Sequence, residues 1–600
     1  MCGFAALVYG AHVTGDEARD AVRRMCERMA VRGPDAEGFW FDQGVALGHR
    51  RLAIVDLDPR AGQPMRSACG RYMIVFNGEI YNFLTLRGNL EARGAVFRTT
   101  SDTEVLLVLF AMEGEAMLPK LQGMFAFVIW DRLARRAFAA RDPYGIKPLY
   151  VANVPDGVLL ASQVKALLAT GLVSREPNWR GRAGFWMLGS VPEPNTWFRD
   201  IRVLPAGHCL WIQGCKVVAS RCWQDIGEAW RQVGQATVVG VSEVRERVRT
   251  ALRESVTRHL VADVPVGVFL SGGIDSGTLA GLMVEVGARE LQGITIAYDE
   301  FKGRHEDEAP VAARIAAHYG IRHYIRRVTR DEFFQDLPLI LDAMDQPTVD
   351  GVNAWYASKA VAELGLKVVV SGVGGDELFL GYSIFRKLPR LVSVWRALSR
   401  APAAMFLARR LAETQARRTG NGRWSHAADW LRSISGAWWL SRGLYSPQDL
   451  PELMGVDGSV EALRDFDVND WVRSMVGIIP QDRFLALGQI ESMTYLRNQL
   501  LRDSDWASMA HSVELRTPLV DATLLGTLAP VLAQFPAFRN KSLLSGALIK
   551  PLPRRLLERQ KTGFGVPVQQ WLQAAGRAGG DDGMSRSWAR ELSTQIYEQI

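Results

Sequence analysis

The sequence has few cysteines and no long apolar run, and both absences narrow the classes of protein that it can encode. Six cysteines in 600 residues are too few for the disulfide framework of a secreted domain. No apolar stretch reaches the roughly 18 residues that a membrane helix needs. The start, MCGFAALVYGAHVTGDE, lacks the basic segment and cleavage site of a signal peptide. We therefore expect a cytoplasmic protein with no membrane partner.

The sequence also lacks a large excess of charge of either sign, because acidic and basic residues nearly balance at a net charge of +7. An apolar fraction of 48% and a charged fraction of 22% are ordinary for a globular chain. A slightly basic surface suits anionic small molecules as well as nucleic acid. The sequence contains no recognisable RNA- or DNA-binding module, so we expect no nucleic-acid partner.

The length of 600 residues exceeds what one hydrophobic core supports, so two or more domains are expected. Residues 1–215 alternate short apolar strands with amphipathic helices, which predicts an α+β sandwich of antiparallel sheets. In residues 240–600 a strand–helix alternation begins with VPVGVFL and DSGTLAGLMVEVG, which predicts a doubly wound parallel α/β sheet. Residues 383–480 favour added helices and carry no readable motif.

Cys2 is the first residue with evident chemical potential. Removal of Met1 would leave a residue that holds both a thiol nucleophile and an α-amine, whose pKa near ~8 lets it act as a local base. Asn77 and Gly78 follow a strand, and their N–H groups can stabilise a developing oxyanion. An Arg and acidic residues can bind the two ends of an α-amino acid. The candidates for that role are Arg51, Glu79 and Asp102.

A second chemical signal follows the strand VGVFL. Ser271, Gly272 and Gly273 form a turn, after which Asp275 and Ser276 open a helix. Glycines let the backbone approach a phosphate, and the helix N-terminus offers unpaired N–H groups and a favourable dipole. A carboxylate at this position can hold Mg²⁺. The pattern predicts phosphate binding without a Walker GxxxxGK(S/T) loop, which the sequence lacks.

The segment KVVVSGVGGDELFLGY repeats this logic at another strand end. By this logic Ser371 and Gly372 would lie beside the bound phosphate, and Asp376 could supply a second contact to Mg²⁺.

The strings MCGF, RGPD, GHRRLAIVD, FNGEIYN, SDTEV and GMFAFVIWD resemble, in this order, the glutaminase domain of class II glutamine amidotransferases of the asparagine synthetase type. The resemblance implies that Cys2 attacks the side-chain amide of glutamine, while Asn77 and Gly78 stabilise the oxyanion. The residues implied to bind glutamine are Arg51, Glu79 and Asp102.

The strings GVFLSGGIDSG, KVVVSGVGGDELFLGY and ERQKTGFGVP resemble the ATP-pyrophosphatase synthetase domain of the same family, which adenylates a carboxylate with ATP and Mg²⁺. Asp275 and Asp376 would bind the metal, and Lys561 would neutralise phosphate charge. Phe269 and Ile296 fall where the family contacts adenine. The ATP-binding residues implied are Phe269, Ser271, Gly272, Gly273, Asp275, Ser276, Ile296, Ser371 and Gly372.

Together the resemblances imply an N-terminal-nucleophile α+β sandwich followed by a doubly wound ATP-pyrophosphatase domain with added helices. The implied enzyme is a ligase that amidates a carboxylate through an acyl-adenylate, with aspartate as the expected acceptor and asparagine biosynthesis as its role. The family joins its two sites by an internal tunnel, and a homodimer is the family-based expectation.

Three positions depart from the family pattern. Val373 stands where asparagine-forming members usually carry an acidic residue, and Leu380 and Gln163 replace a frequent Gly and Glu. The acceptor could therefore be a uronic acid or another carboxylate, such as a secondary metabolite. Ring-closing relatives tend to lose the glutaminase cysteine, so the presence of Cys2 disfavours that reading. The phosphate-loop residues, with Asp275 among them, likewise disfavour a non-catalytic scaffold.

Overall fold

The computed structural model describes residues 2–232, 240–400, 402–419, 422–553, 556, 565–577 and 584–599. Within these residues the strands form three sheets. In chain order the strands are β1 (Gly3–Tyr9), β2 (Ala36–Asp42), β3 (Val45–Arg51), β4 (Met65–Arg66), β5 (Tyr72–Ile80), β6 (Gly123–Asp131), β7 (Arg136–Arg141), β8 (Tyr150–Val154), β9 (Gly157–Ala161), β10 (Ile201–Val203), β11 (His208–Gln213), β12 (Lys216–Cys222), β13 (Val266–Phe269), β14 (Gln292–Tyr298), β15 (Arg322–Val328), β16 (Val368–Val370) and β17 (Glu514–Arg516).

Helices surround the sheets and fill most of the C-terminal half. They are α1 (Gly15–Arg28), α2 (Phe83–Glu91), α3 (Asp102–Glu113), α4 (Val164–Ala169), α5 (Trp179–Leu188), α6 (Gly227–Arg231), α7 (Val241–His259), α8 (Ile274–Glu285), α9 (Ala309–Tyr319), α10 (Arg330–Ala343), α11 (Val352–Glu363), α12 (Gly375–Leu378), α13 (Ser383–Leu398), α14 (Pro402–Thr419), α15 (Ala427–Trp430), α16 (Ile434–Arg442), α17 (Leu450–Met454), α18 (Val456–Asp465), α19 (Val468–Val476), α20 (Arg483–Glu491), α21 (Arg502–Met509), α22 (Ala522–Gln534), α23 (Ser542–Ser545), α24 (Val568–Ala574) and α25 (Met584–Gln599). A π-helical segment, Ser492–Leu501, joins α20 to α21. No described helix is long and apolar enough to cross a membrane.

Two six-stranded antiparallel sheets pack face to face, in the orders β10-β8-β9-β1-β3-β2 and β12-β11-β7-β6-β5-β4. The alternation of side chains along a strand explains this layering. In β1, Phe4 and Val8 enter the core between the sheets, whereas Leu7 packs against α1 and α4 on the outside. In β5, Val75 faces the other sheet and Phe76 faces α2 and α3. The predicted α+β sandwich is therefore confirmed.

The third sheet is parallel, in the order β15-β14-β13-β16-β17. The chain runs outward from β13 through β14 to β15, then returns to place β16 on the other side of β13. Such a reversal leaves a crevice at the carboxyl ends of β13 and β16, where ligands bind in doubly wound folds. The predicted α/β sheet is confirmed, and the added helices 383–480 pack beside it. The division into domains 1–215 and 240–600 stays a prediction.

Buried ionic contacts join the sandwich to the parallel-sheet half. Arg32 donates to both carboxylate oxygens of Asp505, at 2.8 and 3.2 Å, and both side chains are almost fully buried. The Asp345 carboxylate accepts from the backbone N–H of Val164 at 2.8 Å. A buried guanidinium needs a partner because desolvation penalises an isolated charge, so these contacts fix how the two halves meet.

We expect Arg32→Met to lower the free energy of unfolding by about 3 kcal/mol or more, because it leaves the Asp505 carboxylate buried without its bidentate partner. Urea unfolding followed by circular dichroism measures this. The matched control is Arg28→Met, which removes an ion pair with Asp342 whose side chains are 43% and 56% exposed. That control should cost less than about 1 kcal/mol. Equal losses in the two variants would contradict the role given to the buried pair.

Candidate functional site

Cys2 lies buried at the start of β1, beside the end of β5. Its backbone nitrogen donates to Asn77 Oδ1 at 3.0 Å, and Arg32 Nε donates to its carbonyl at 3.1 Å. Burial raises the pKa of the Cys2 thiol, and a hydrogen bond from the Leu52 N–H opposes that shift. A thiol held mainly in its protonated form needs a nearby base to become a nucleophile.

Asn77 presents an unused donor to this pocket. Its side chain is fully buried, and among the described residues its Nδ2 has no hydrogen-bond partner. Buried amide donors are rarely left unpaired, so this atom marks a place for a ligand oxygen. The next residue, Gly78, has φ near 150°, and a Cβ there would lie 2.0 Å from the Met124 carbonyl. Only glycine fits this position.

Arg51 and Glu79 lie close enough to Cys2 to influence the pKa of its thiol, and Asp102 in turn influences the pKa of Glu79. The Arg51 guanidinium donates to the carbonyls of Asp58, at 3.0 Å, and Asp56. Carbonyls carry no net charge, so a ligand carboxylate can still pair with Arg51.

The two acids of this pocket favour a cationic ligand. Burial, with the nearby Glu514, raises the pKa of Glu79 well above its ordinary value. Burial likewise raises the pKa of Asp102 to about 6, although Asp102 accepts from the Ile80 N–H at 2.9 Å. A bound ammonium group would stabilise both carboxylates. One guanidinium and two carboxylates around a thiol thus suit an α-amino acid.

The turn after β13 is held by its own serines. Ser271 Oγ lies 2.8 Å from Ser276 Oγ, and the Ser271 N–H donates to the same oxygen at 3.1 Å. The Gly273 N–H donates to Ser271 Oγ at 3.1 Å, and Gly273 is the N-cap residue of α8. This closure aims the first N–H groups of α8 and its dipole into the crevice at the ends of β13 and β16, as a phosphate site requires.

The turn after β16 meets the first turn inside that crevice. A Cβ on Gly375 would lie 2.7 Å from Asp275 Cγ, so only glycine allows this approach. Ser371 directly follows β16, and its N–H donates to the Arg516 backbone carbonyl at 2.8 Å. A Cβ on Gly372 would lie 3.1 Å from Asp275 Cβ. The structure thus brings the two predicted loops together.

Lys541 joins the two carboxylates and was missed by the sequence analysis. Its Nζ lies 2.6 Å from Asp275 Oδ2 and 2.7 Å from Asp376 Oδ1. Two convergent carboxylates around one cation are the oxygen donors that Mg²⁺ prefers. Among the described residues no cluster of three or more metal-ligating side chains occurs, so the remaining ligands would be phosphate oxygens or water. The residues therefore fit Mg²⁺ bound together with a nucleotide.

Phe269 and Ile296 lie on the neighbouring strands β13 and β14. Ile296 lines a small cleft that has Tyr298 and Phe301 on one side and three acids, Glu306, Asp307 and Glu308, on the other. Phe269 is half-buried on the adjacent strand. Lys561 lies outside the described residues.

Arg516 is a second residue that the sequence analysis missed. Its side chain is fully buried, its Nε donates to Glu514 Oε1 at 2.5 Å, and its guanidinium lies 3.7 Å from Glu79. It ends the short strand β17, whose first residue is Glu514. A glutamate and an arginine two residues apart in a three-residue buried strand are the signal that could have singled it out.

Comparisons with known proteins agree with this two-part arrangement. A glutamine amidotransferase domain matches residues 1–223, and an asparagine synthase domain matches residues 247–595. A Mycobacterium tuberculosis protein, provisionally named a glutamine-hydrolysing asparagine synthetase, is 33% identical over 96% of this chain and 89% of its own length. Glutamine-hydrolysing asparagine synthetase 1 of Bacillus subtilis is 30% identical over 96% of this chain and 88% of its own.

The amidase chry2 of Gibberella zeae is 32% identical over 64% of this chain and 60% of its own length. Members with different names thus share the same framework. The domain matches and the near-full-length relatives place the chain in the asparagine synthase family, as a ligase that drives a glutamine-dependent amidation with ATP.

Proposed function

We propose that the acceptor of this ligase is aspartate and the product asparagine. The relatives that match 96% of the chain carry the name of asparagine synthetases, which supports this acceptor. The observation that carries the site assignment is the buried pair of Cys2 and Asn77: Asn77 Oδ1 accepts from the Cys2 backbone nitrogen, and its Nδ2 has no partner among the described residues.

In the sandwich, Cys2 Sγ attacks the side-chain carbonyl carbon of glutamine and its proton passes to the α-amine that Met1 removal exposes. The oxyanion that forms accepts hydrogen bonds from Asn77 Nδ2 and the Gly78 N–H. The amide nitrogen takes that proton from the α-amine and leaves as ammonia. Water then hydrolyses the remaining thioester to glutamate and free thiol. The glutamine would be held by Arg51 at its carboxylate and by Glu79 and Asp102 at its ammonium group.

In the crevice of the parallel sheet, the N–H groups of the turns after β13 and β16 bind the phosphates of ATP. Mg²⁺, held by Asp275 and Asp376, would neutralise charge on the phosphate oxygens. An oxygen of the acceptor carboxylate attacks the α-phosphorus, and pyrophosphate leaves. Ammonia then attacks the acyl carbon and AMP leaves. Lys541 supplies positive charge to the same acidic pair, and Lys561 is assigned to the phosphates by resemblance.

A second acceptor class is favoured by one residue of the nucleotide crevice. Val373 stands within the second phosphate turn, its N–H 3.4 Å from Ser371 Oγ, and its side chain can neither accept a proton nor orient an ammonium group. A relative over 64% of the chain carries the name of an amidase, which supports a second class of acceptor. A uronic acid or a secondary-metabolite carboxylate is therefore the alternative acceptor.

We also infer a reducing, cytoplasmic setting and a homodimer. All six cysteines are free thiols, which supports the first, and the family supports the second. The domain division at residues 215 and 240 belongs to the same proposal.

Replacing Cys2 with Ala should abolish glutamine-driven amidation and spare ammonia-driven amidation, because free ammonia bypasses the thiol. Amide formation with each nitrogen source measures this. Cys26→Ala, which changes a buried thiol of α1, is the control and should leave both activities in place. Loss of both activities in Cys2→Ala alone would contradict the division of labour.

Replacing Asp275 with Asn should lower pyrophosphate release by at least about a hundredfold, because the crevice loses a charge that binds the metal. Glutamine hydrolysis should persist in the same protein. Asp299→Asn, at the end of β14 with a side chain 55% exposed, is the matched control. Undiminished AMP formation in Asp275→Asn would remove Asp275 from the metal role.

The acceptor is tested by pyrophosphate release with ATP, Mg²⁺ and glutamine, with and without aspartate. Aspartate-dependent release with asparagine formed would confirm the proposal. If pyrophosphate release does not depend on aspartate, in protein that hydrolyses glutamine, aspartate is not the acceptor. The assay would then be repeated with sugar acids and other carboxylates.

A further inference from the structure

The basic charge of this protein is concentrated in one pair of helices. Residues 383–418, which we term the basic hairpin, hold α13 and α14, and contain nine Lys or Arg residues and a single acid, Glu413. Their net charge of +8 exceeds the +7 of the whole chain, so the rest of the protein sums to −1. A random distribution of charge would not produce this separation, and it creates a local positive field.

Helix α14 also exposes large apolar side chains. Phe406, Leu407 and Leu411 are 61%, 60% and 63% exposed, whereas the small Ala412 and Ala416 face the protein. Core-facing helices normally show the opposite arrangement, with large apolar residues inward. Exposure of an apolar face to water is unfavourable, and covering that face with an apolar phase lowers the free energy.

Arginines lie among these apolar residues on the same helix. Arg409 and Arg410 are exposed, and the Arg410 guanidinium lies 5.1 Å from the centroid of the Phe406 ring. The long stem of arginine can lie along apolar surface while its charged end reaches outward. On α13, Arg386 and Arg390 are exposed as well, so the positive charge continues across the hairpin.

Two classes of anionic partner could meet this charge, and the apolar residues decide between them. Nucleic acid is contacted mainly at its phosphates by basic and polar side chains, which gives exposed leucines no partner. The interface of a membrane offers anionic headgroups and acyl chains within one surface. Amphipathic helices that carry Lys or Arg together with Phe or Leu lie in that interface, with their apolar residues below the headgroups.

We propose that the basic hairpin docks the enzyme peripherally on a membrane surface that carries anionic phospholipids. Phe406, Leu407 and Leu411 enter the headgroup region, and the arginines of α13 and α14 pair with lipid phosphates. This revises the expectation of no membrane partner, since docking needs no helix that spans the bilayer.

The test is co-sedimentation of the full chain with vesicles of phosphatidylcholine alone and of phosphatidylcholine mixed with phosphatidylglycerol. The full chain should bind the mixed vesicles, and binding should weaken at high salt because the headgroup attraction is screened. The double variant Arg409→Glu, Arg410→Glu should bind the mixed vesicles at least about tenfold more weakly. Leu407→Ser with Leu411→Ser should also weaken binding about tenfold or more, since two side chains no longer leave water.

Matched controls place the same changes elsewhere. Arg23→Glu with Arg202→Glu alters two exposed arginines of the sandwich, and Leu84→Ser with Leu133→Ser alters leucines that are 61% and 76% exposed. Both control proteins should bind the mixed vesicles like the parent. All variants should hydrolyse glutamine normally, which shows that they fold.

Three results would overturn the proposal. The first is no binding of the parent to mixed vesicles. The second is an equal loss in the sandwich controls, which would reduce the effect to net charge. The third is that the full chain does not bind vesicles but binds duplex DNA through Arg409 and Arg410, which would assign the surface to nucleic acid.

Discussion

Arg516 is the residue that links the two candidate sites. It lies in β17 at the edge of the parallel sheet, fully buried and paired with Glu514. The Arg516 guanidinium lies 3.7 Å from the Glu79 carboxylate in the thiol pocket. The Arg516 backbone carbonyl accepts from the Ser371 N–H, in the crevice of the parallel sheet, at 2.8 Å. One residue therefore touches both sites. Because a buried charge tolerates little displacement from its partners, neither site can shift far without disturbing the other.

The topology of the parallel sheet explains why the phosphate turns meet. β13 and β16 are neighbours although about a hundred residues separate them along the chain, and the connections from each leave on opposite sides at the reversal of strand order. The carboxyl ends of these two strands are thus adjacent, and Asp275 and Asp376 converge on one cation, Lys541. A strand order without this reversal would hold the two turns apart.

Local pattern was enough to predict the antiparallel sandwich and the parallel sheet, and it singled out most of the residues proposed for the two sites. A strand, a turn of Ser and Gly, and a helix with an acid in its first turn specify a phosphate loop by themselves. Asn77 and Gly78 were likewise recognisable because they stand side by side at a strand end. Lys541 and Arg516 were not, since their partners lie hundreds of residues away in the chain and only tertiary packing brings them together. The roles given to the site residues stay predictions until they are tested.

Net charge shows how a whole-chain quantity can mislead when its parts are separated in space. The small basic excess suited an anionic nucleotide, yet the nucleotide crevice itself carries the acids Asp275 and Asp376 beside Lys541. The excess lies instead in residues 383–418, outside the residues that form either site. The proposed binding of ATP at this crevice would depend on N–H groups at the start of α8 and on a metal that offsets the carboxylates. The charge of the chain therefore reports on the hairpin and its surroundings, and the chemistry of the crevice is decided by the few groups that line it.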